Sequence, residues 1–185
     1  GLRNVPPLPA GTTYLSVATG YFHMLALRSD GEVVAWGYNV RGQCDVPALP
    51  AGLAWVELAA GAEHSLGRRS DGSVVAWGSN TTGQCDVPAI PSGLSVVQLA
   101  GGGEDVIWGQ FRGHSVALLS DGSAIGWGHN EYLQCNVPEL EAGLSYLEVS
   151  TGGASETAAG LLYTAPHELV RVSDGSLRAF GRDVE

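Results

Sequence analysis

The sequence predicts an all-β protein, a β-propeller of four-stranded antiparallel blades, from three observations: an internal repeat, evenly placed tight turns, and short β-branched runs between them. The repeating cassette reads G-x-x-H, an apolar run, S-D-G, a second apolar run ending in W-G, then Q-C-x-V-P and A-G-L. His23, His64, His114 and His167 each stand six residues before the Ser of an S-D-G turn, at Ser29, Ser70, Ser120 and Ser173. The W-G pair follows at Trp36-Gly37, Trp77-Gly78 and Trp127-Gly128, with Phe180-Gly181 in its place in the last unit. Val-Pro recurs at Val5-Pro6, Val46-Pro47, Val87-Pro88 and Val137-Pro138.

Each unit predicts its strands in order. In the first, Leu15–Ala18 and Met24–Leu27 are short apolar runs, and Asp30-Gly31 supplies the hairpin turn because glycine tolerates a positive φ. Val33–Trp36 is β-branched and aromatic, as strands prefer. Asn39–Gly42 then turns the chain into an expected fourth strand carrying Cys44 and Val46, which Pro47 and Pro50 end because proline donates nothing to a ladder. The whole chain, 1–185, reads as a single array of four such repeats. Unit four stops after its third strand. Read across the ends, "AFGRDVE" followed by "GLRNVP" aligns with "AWGYNVRGQCDVP", so one blade is expected to be split between the N- and C-termini. Its fourth strand is expected from Gly1–Pro6, donated head-to-tail by a neighbouring or covalently continuing copy rather than closing a four-bladed ring.

The stretches "GYFHMLALRSDGEVVAWGYNVRGQC" and "GAEHSLGRRSDGSVVAWGSNTTGQC" resemble repeats of the regulator of chromosome condensation family, and the resemblance covers essentially the whole chain. The linker "GQCDVPALPAGL" is more similar to the bacterial branch, which includes beta-lactamase inhibitory protein II. The resemblance implies a propeller, usually of seven blades, and binding of proteins through loops on one face.

Composition agrees with many short strands: 27 Gly and 9 Pro accompany a hydrophobic fraction of 44%. A formal charge of -10, with every basic residue an Arg, opposes binding to phosphate backbones and anionic lipid, so neither nucleic acid nor a membrane is an expected partner. No run of about 18 apolar residues suits a spanning helix, and a soluble chain is expected. The sequence assigns no compartment.

Repeated polar residues read as structural. Four histidines at one blade position suggest shared turn chemistry, with each ring bonding backbone groups beside the preceding Gly, more than a metal site. Cys44, Cys85 and Cys135 also share a position. Facing sheets lie about 10 Å apart, too far for a disulfide, so free thiols are expected. Ser-Asp-Gly occurs in every unit and is turn chemistry rather than a nucleophile. Asn80-Thr81-Thr82 matches a glycosylation sequon but also fills a strand connection. No cofactor and no metal are expected.

Departures from the repeat carry the functional signal. Units three and four hold extra residues between Gly and His, at 103–112 and 154–166, where unit one has only Tyr21-Phe22. Antiparallel order puts this connection on the same face as the third-to-fourth connection. Tyr21, Phe22, Tyr38, Arg41, Trp108, Phe111, Arg112, Tyr132 and Tyr163 are therefore the candidate protein-binding residues, an aromatic and Arg composition like that of interface hot spots. The function expected is a non-catalytic protein-interaction or self-assembly module. An enzyme inhibitor is the alternative implied by the resemblance, and an enzyme using Glu104, Asp105, His114, Glu156 or Glu168 is the least favoured.

Overall fold

The computed structural model describes residues 1–106, 110–155 and 167–181. Four sheets follow one another along the chain, one per repeat. Unit 1 contains β1 (Tyr14–Thr19), β2 (His23–Arg28) and β3 (Val33–Gly37), and unit 2 contains β4 (Trp55–Ala60), β5 (His64–Arg69) and β6 (Val74–Gly78). Unit 3 contains β7 (Val96–Val106), β8 (Gln110–Leu119) and β9 (Ala124–Gly128). Unit 4 contains β10 (Tyr146–Thr151), β11 (Gly153–Ser155), β12 (His167–Val172) and β13 (Leu177–Gly181).

Three of the sheets are three-stranded and that of unit 3 gains a fourth strand only from β11, in parallel, which corrects the expectation of four antiparallel strands in each blade. Residues 44–46 are no strand, because Asn39 holds that segment as a closed turn. Its Oδ1 accepts Cys44 N–H at 2.7 Å and its Nδ2 donates to Asp45 Oδ1 at 2.7 Å. Asn80 repeats both bonds with Cys85 and Asp86. Asn130 makes the same pair of contacts with Cys135 and Asn136. The sequon asparagine is thus part of the turn. Gly1–Pro6 likewise forms no ladder: it packs on unit 1 of its own chain, where Trp36 Nε1 donates to Leu2 O and Tyr14 Oη to Pro6 O.

Side chains on the S-D-G turns are consumed by structure. Asp71, Asp121 and Asp174 each accept both the backbone N–H and the hydroxyl of the Ser two residues on, at 2.6–2.9 Å. Ser29, Ser70, Ser120 and Ser173 accept the N–H of Thr13, Ala54, Ser95 and Ser145, tying each turn to the start of its own first strand. Gly31, Gly72, Gly122 and Gly175 take φ of 82–88°, the left-handed region the turn requires.

Core lies between units, not within them. Leu25 and Leu27 of unit 1 pack with Trp55 and Trp77 of unit 2. Leu66 packs with Val96, Leu99 and Trp127, and Val116 and Leu118 pack with Tyr146, Val149, Val170 and Val172. Polar contacts repeat at the same joints. His23 Nε2 lies 2.9 Å from Ser65 Oγ, and Ser65 Oγ donates onward to Gln43 O at 2.8 Å. With the serine proton spent on that carbonyl, the histidine must carry its proton on Nε2. His64, Ser115 and Gln84 repeat the set, and Trp77 and Trp127 Nε1 donate at 3.0 Å to the same two carbonyls. The histidines therefore bond across to the next unit rather than beside their own glycine.

Close approach explains the invariant Gly before each His. A Cβ at Gly61 would lie 2.1 Å from the His64 ring and 2.6 Å from Gly102 O. No side chain fits there.

Candidate functional site

The two insertions are structured differently from loops. Unit 3's extra residues lengthen its hairpin, so Glu104 pairs with Arg112 and Val106 with Gln110 in one continuous ladder. The start of the unit 4 insertion adds to it: β11 pairs in parallel with β7, Gly153 opposite Gly103. The insertions thus share a sheet at their base, and the resulting order is β11-β7-β8-β9.

That lengthened hairpin carries Phe111 across unit 2 to unit 1. Phe111 meets Tyr21 at 5.9 Å and Phe22 at 5.5 Å between ring centroids, both edge to face. Phe22 meets Tyr38 at 6.2 Å, and Tyr21 Oη donates to Gly103 O at 3.1 Å. Such pairs stabilise by about 0.5–1.5 kcal/mol beyond their burial, enough to hold the rings in a fixed arrangement. The cluster is nonetheless open to solvent: Phe22 is 43% and Tyr38 44% exposed.

Of the other candidate residues, Arg112 pairs with Glu131 and lies 3.2 Å from His129, whose ring meets Tyr132 edge to face. Arg41 is half exposed and reaches Glu63 Oε2 at 3.6 Å. Trp108 and Tyr163 lie outside the described residues, as does Glu156. Sequence reasoning missed Val40, 70% exposed beside Tyr38, and Leu133, 56% exposed beside Tyr132. Leu133 had a signal: it replaces the Gly of the equivalent turns, Gly42 and Gly83, and it adopts a φ of 62° where those glycines have 80°. An exposed leucine held in the left-handed region gains nothing from packing and costs about 1 kcal/mol or more, a pattern found at functional surfaces.

Of the acid-base candidates, His114 and Glu168 have described side chains. His114 and Glu168 are in direct contact but each is 1% exposed, sealed between units 3 and 4. Among the described residues no group of three or more metal-ligating side chains gathers. The cysteines are free thiols, and each donates to a backbone carbonyl six residues earlier. Burial, with Asp86 beside Cys85 and Glu168 beside Cys135, pushes those two thiols up to about 12. Their alkylation by iodoacetamide at pH 8 should be at least about a hundredfold slower in the folded than in the unfolded protein. Equal rates would contradict the buried placement.

Residues 15–43 and 55–84 match the family model of the Regulator of chromosome condensation (RCC1) repeat. Units 1 and 2 thus match RCC1 repeats. Its structure is similar to yeast RCC1 (Prp20) as bound to Kap60, with a TM-score of 0.70 and 20% identity over 95% of this chain and 45% of that one. Prp20p of Saccharomyces cerevisiae, described with its binding to Gsp1p and histones, gives 0.67 and 24% over 93% of this chain and 44% of that one. Human WBSCR16 gives 0.69 and 23%, over 95% and 50%. These likenesses establish the propeller fold. The chain spans about half the length of the structures it matches. No curated protein matches the sequence.

Proposed function

We propose that this RCC1-repeat chain is a non-catalytic protein-interaction module whose docking surface is the aromatic rim formed by Tyr21, Phe22, Tyr38 and Phe111. The observation that carries this reading is the convergence of three distant segments into one ordered, solvent-exposed ring cluster. Rigid aromatic side chains of this kind supply large contact area at low entropic cost and dominate binding hot spots. Protein partners of the yeast relative, Kap60 among them, support binding as the general role. The inhibitor reading and the bacterial branch rest on the linker sequence alone.

Photo-cross-linking tests the docking surface. A benzoylphenylalanine at position 22 or 38 should yield discrete protein adducts in the native host, whereas one at Ser73 on the opposite, S-D-G edge should yield none. Equal adducts from both edges would remove the case for an aromatic docking face.

A further inference from the structure

We infer that a cleft at the joint between units 3 and 4 binds a small organic ammonium ion, its apolar body against the linker side chains and its charge towards Asp121 and Glu139. The cleft lies on the S-D-G edge, away from the aromatic rim, and the inference does not depend on the docking reading.

The cleft holds about 380 Å³, within the range of small-ligand sites. Its walls come from the S-D-G hairpin of unit 3, the linker that follows, and the first residue of β10, all in the interior of the array. Ala124, Val137, Leu140, Leu144 and Tyr146 supply the apolar surface. Tyr146 ties the walls together: its N–H donates to Gly122 O at 2.7 Å and its Oη to Pro138 O at 2.6 Å. One residue thus holds both hairpin and linker in place, so a ligand meets a site already formed.

The corresponding positions in units 1 and 2 show what is particular to this joint. Where unit 3 has Ala124, those units have Val33 and Val74, each packed on the core of its own joint. Ala124 lacks both γ-methyl groups, which leaves room on the wall. Where this linker has Glu139, the preceding two have Ala48 and Ala89. A smaller side chain within and a carboxylate outside are separate departures from the repeat, and both suit one occupant.

Charge decides its class. Asp121, Ser123 and Glu139 are the exposed members of the lining, and no lining residue is basic. Asp121 Oδ1 accepts the Ser123 hydroxyl at 2.6 Å and its N–H at 2.9 Å, and these bonds hold the carboxyl below the usual carboxylate range. It is therefore ionised at neutral pH, and its Oδ2 takes part in neither bond. An anionic opening above an apolar wall repels carboxylates and phosphates and attracts an ammonium group, whose N–H donors carboxylate oxygens accept.

Titrating phenethylammonium into the isotope-labelled chain at neutral pH, and following backbone amide chemical shifts, tests the site. Shifts should centre on Gly122, Ser123, Glu139 and Leu140, with a Kd of about 1 mM. Phenylpropionate, of similar shape and opposite charge, should bind at least about tenfold more weakly. Ala124→Val, which supplies the side chain of the other two joints, should remove binding. Glu139→Ala, the residue of the other two linkers, should weaken it about fivefold. Circular dichroism checks folding, and Glu139→Arg, which should also remove binding, replaces Ala124→Val should that variant unfold. No shifts at these residues up to about 10 mM, or equal binding of the two probes, would overturn the inference. Wild-type affinity in Ala124→Val would do the same.

Discussion

Replacing Glu168 by Ala should lower the unfolding free energy by about 1–3 kcal/mol, the usual cost of leaving a buried polar group without its hydrogen-bond partner. The side chain is sealed between units 3 and 4 against His114, where the two preceding joints use Ser65 and Ser115. Ala would leave the His114 ring with no acceptor in the interface. Glu168→Ser restores the pattern of the other joints and should recover most of the loss. Chemical denaturation measures both. A change under about 0.5 kcal/mol for Glu168→Ala would mean that the pair is not part of the joint.

Acidification should destabilise the chain from about pH 6.5 downward, above the ordinary carboxylate range. Burial holds His23 at about 4, and His64, also beside His114 and His23, at about 3, from an ordinary value of 6.5. Below pH 6.5 the unfolded chain binds protons on these rings that the folded chain refuses, so their contribution is fully present above 6.5. It is lost as the pH falls towards 4 and 3, at up to about 1.4 kcal/mol per histidine for each pH unit crossed. Glu168 acts in the opposite sense. Burial raises its carboxyl, so its contribution is complete below the ordinary carboxylate range and is lost as the pH rises through the folded value. The denaturation midpoint should therefore drop steeply between pH 6.5 and 4, and His64→Asn should flatten that drop. A midpoint constant over this interval would contradict the assignment of neutral, inter-unit histidines.

The repeat made the fold legible because each unit faces the same physical problem. S-D-G must turn, Gly must let the next unit approach, and Trp must reach a carbonyl of the preceding linker. What the repeat concealed was direction. Period-two patterning shows which residues are apolar, but not that His64 and Ser115, 51 residues apart, complete one another across a joint. The expected fourth strand failed for a local reason, since an Asn side chain satisfies the backbone that a ladder would have used. The insertions were visible as extra residues, yet their pairing into one sheet depends on register between units, which no local pattern encodes.

Gathering of the rim was predicted in part. Antiparallel order put Tyr21, Phe22, Tyr38 and Phe111 on one face, and the ring contacts of Phe111 come through a strand extension that sequence reading took for a loop. Trp108 and Tyr163 remain proposals on the same insertions.

Hydroxyl-radical footprinting of the chain, alone and with a protein captured through position 22, tests the docking surface most directly. Protection concentrated at Tyr21, Phe22, Tyr38 and Phe111, with Leu133 and Val40 at its margin, is the result this account predicts. Protection confined to the S-D-G edge, with the four rings as reactive as in the free chain, would contradict it.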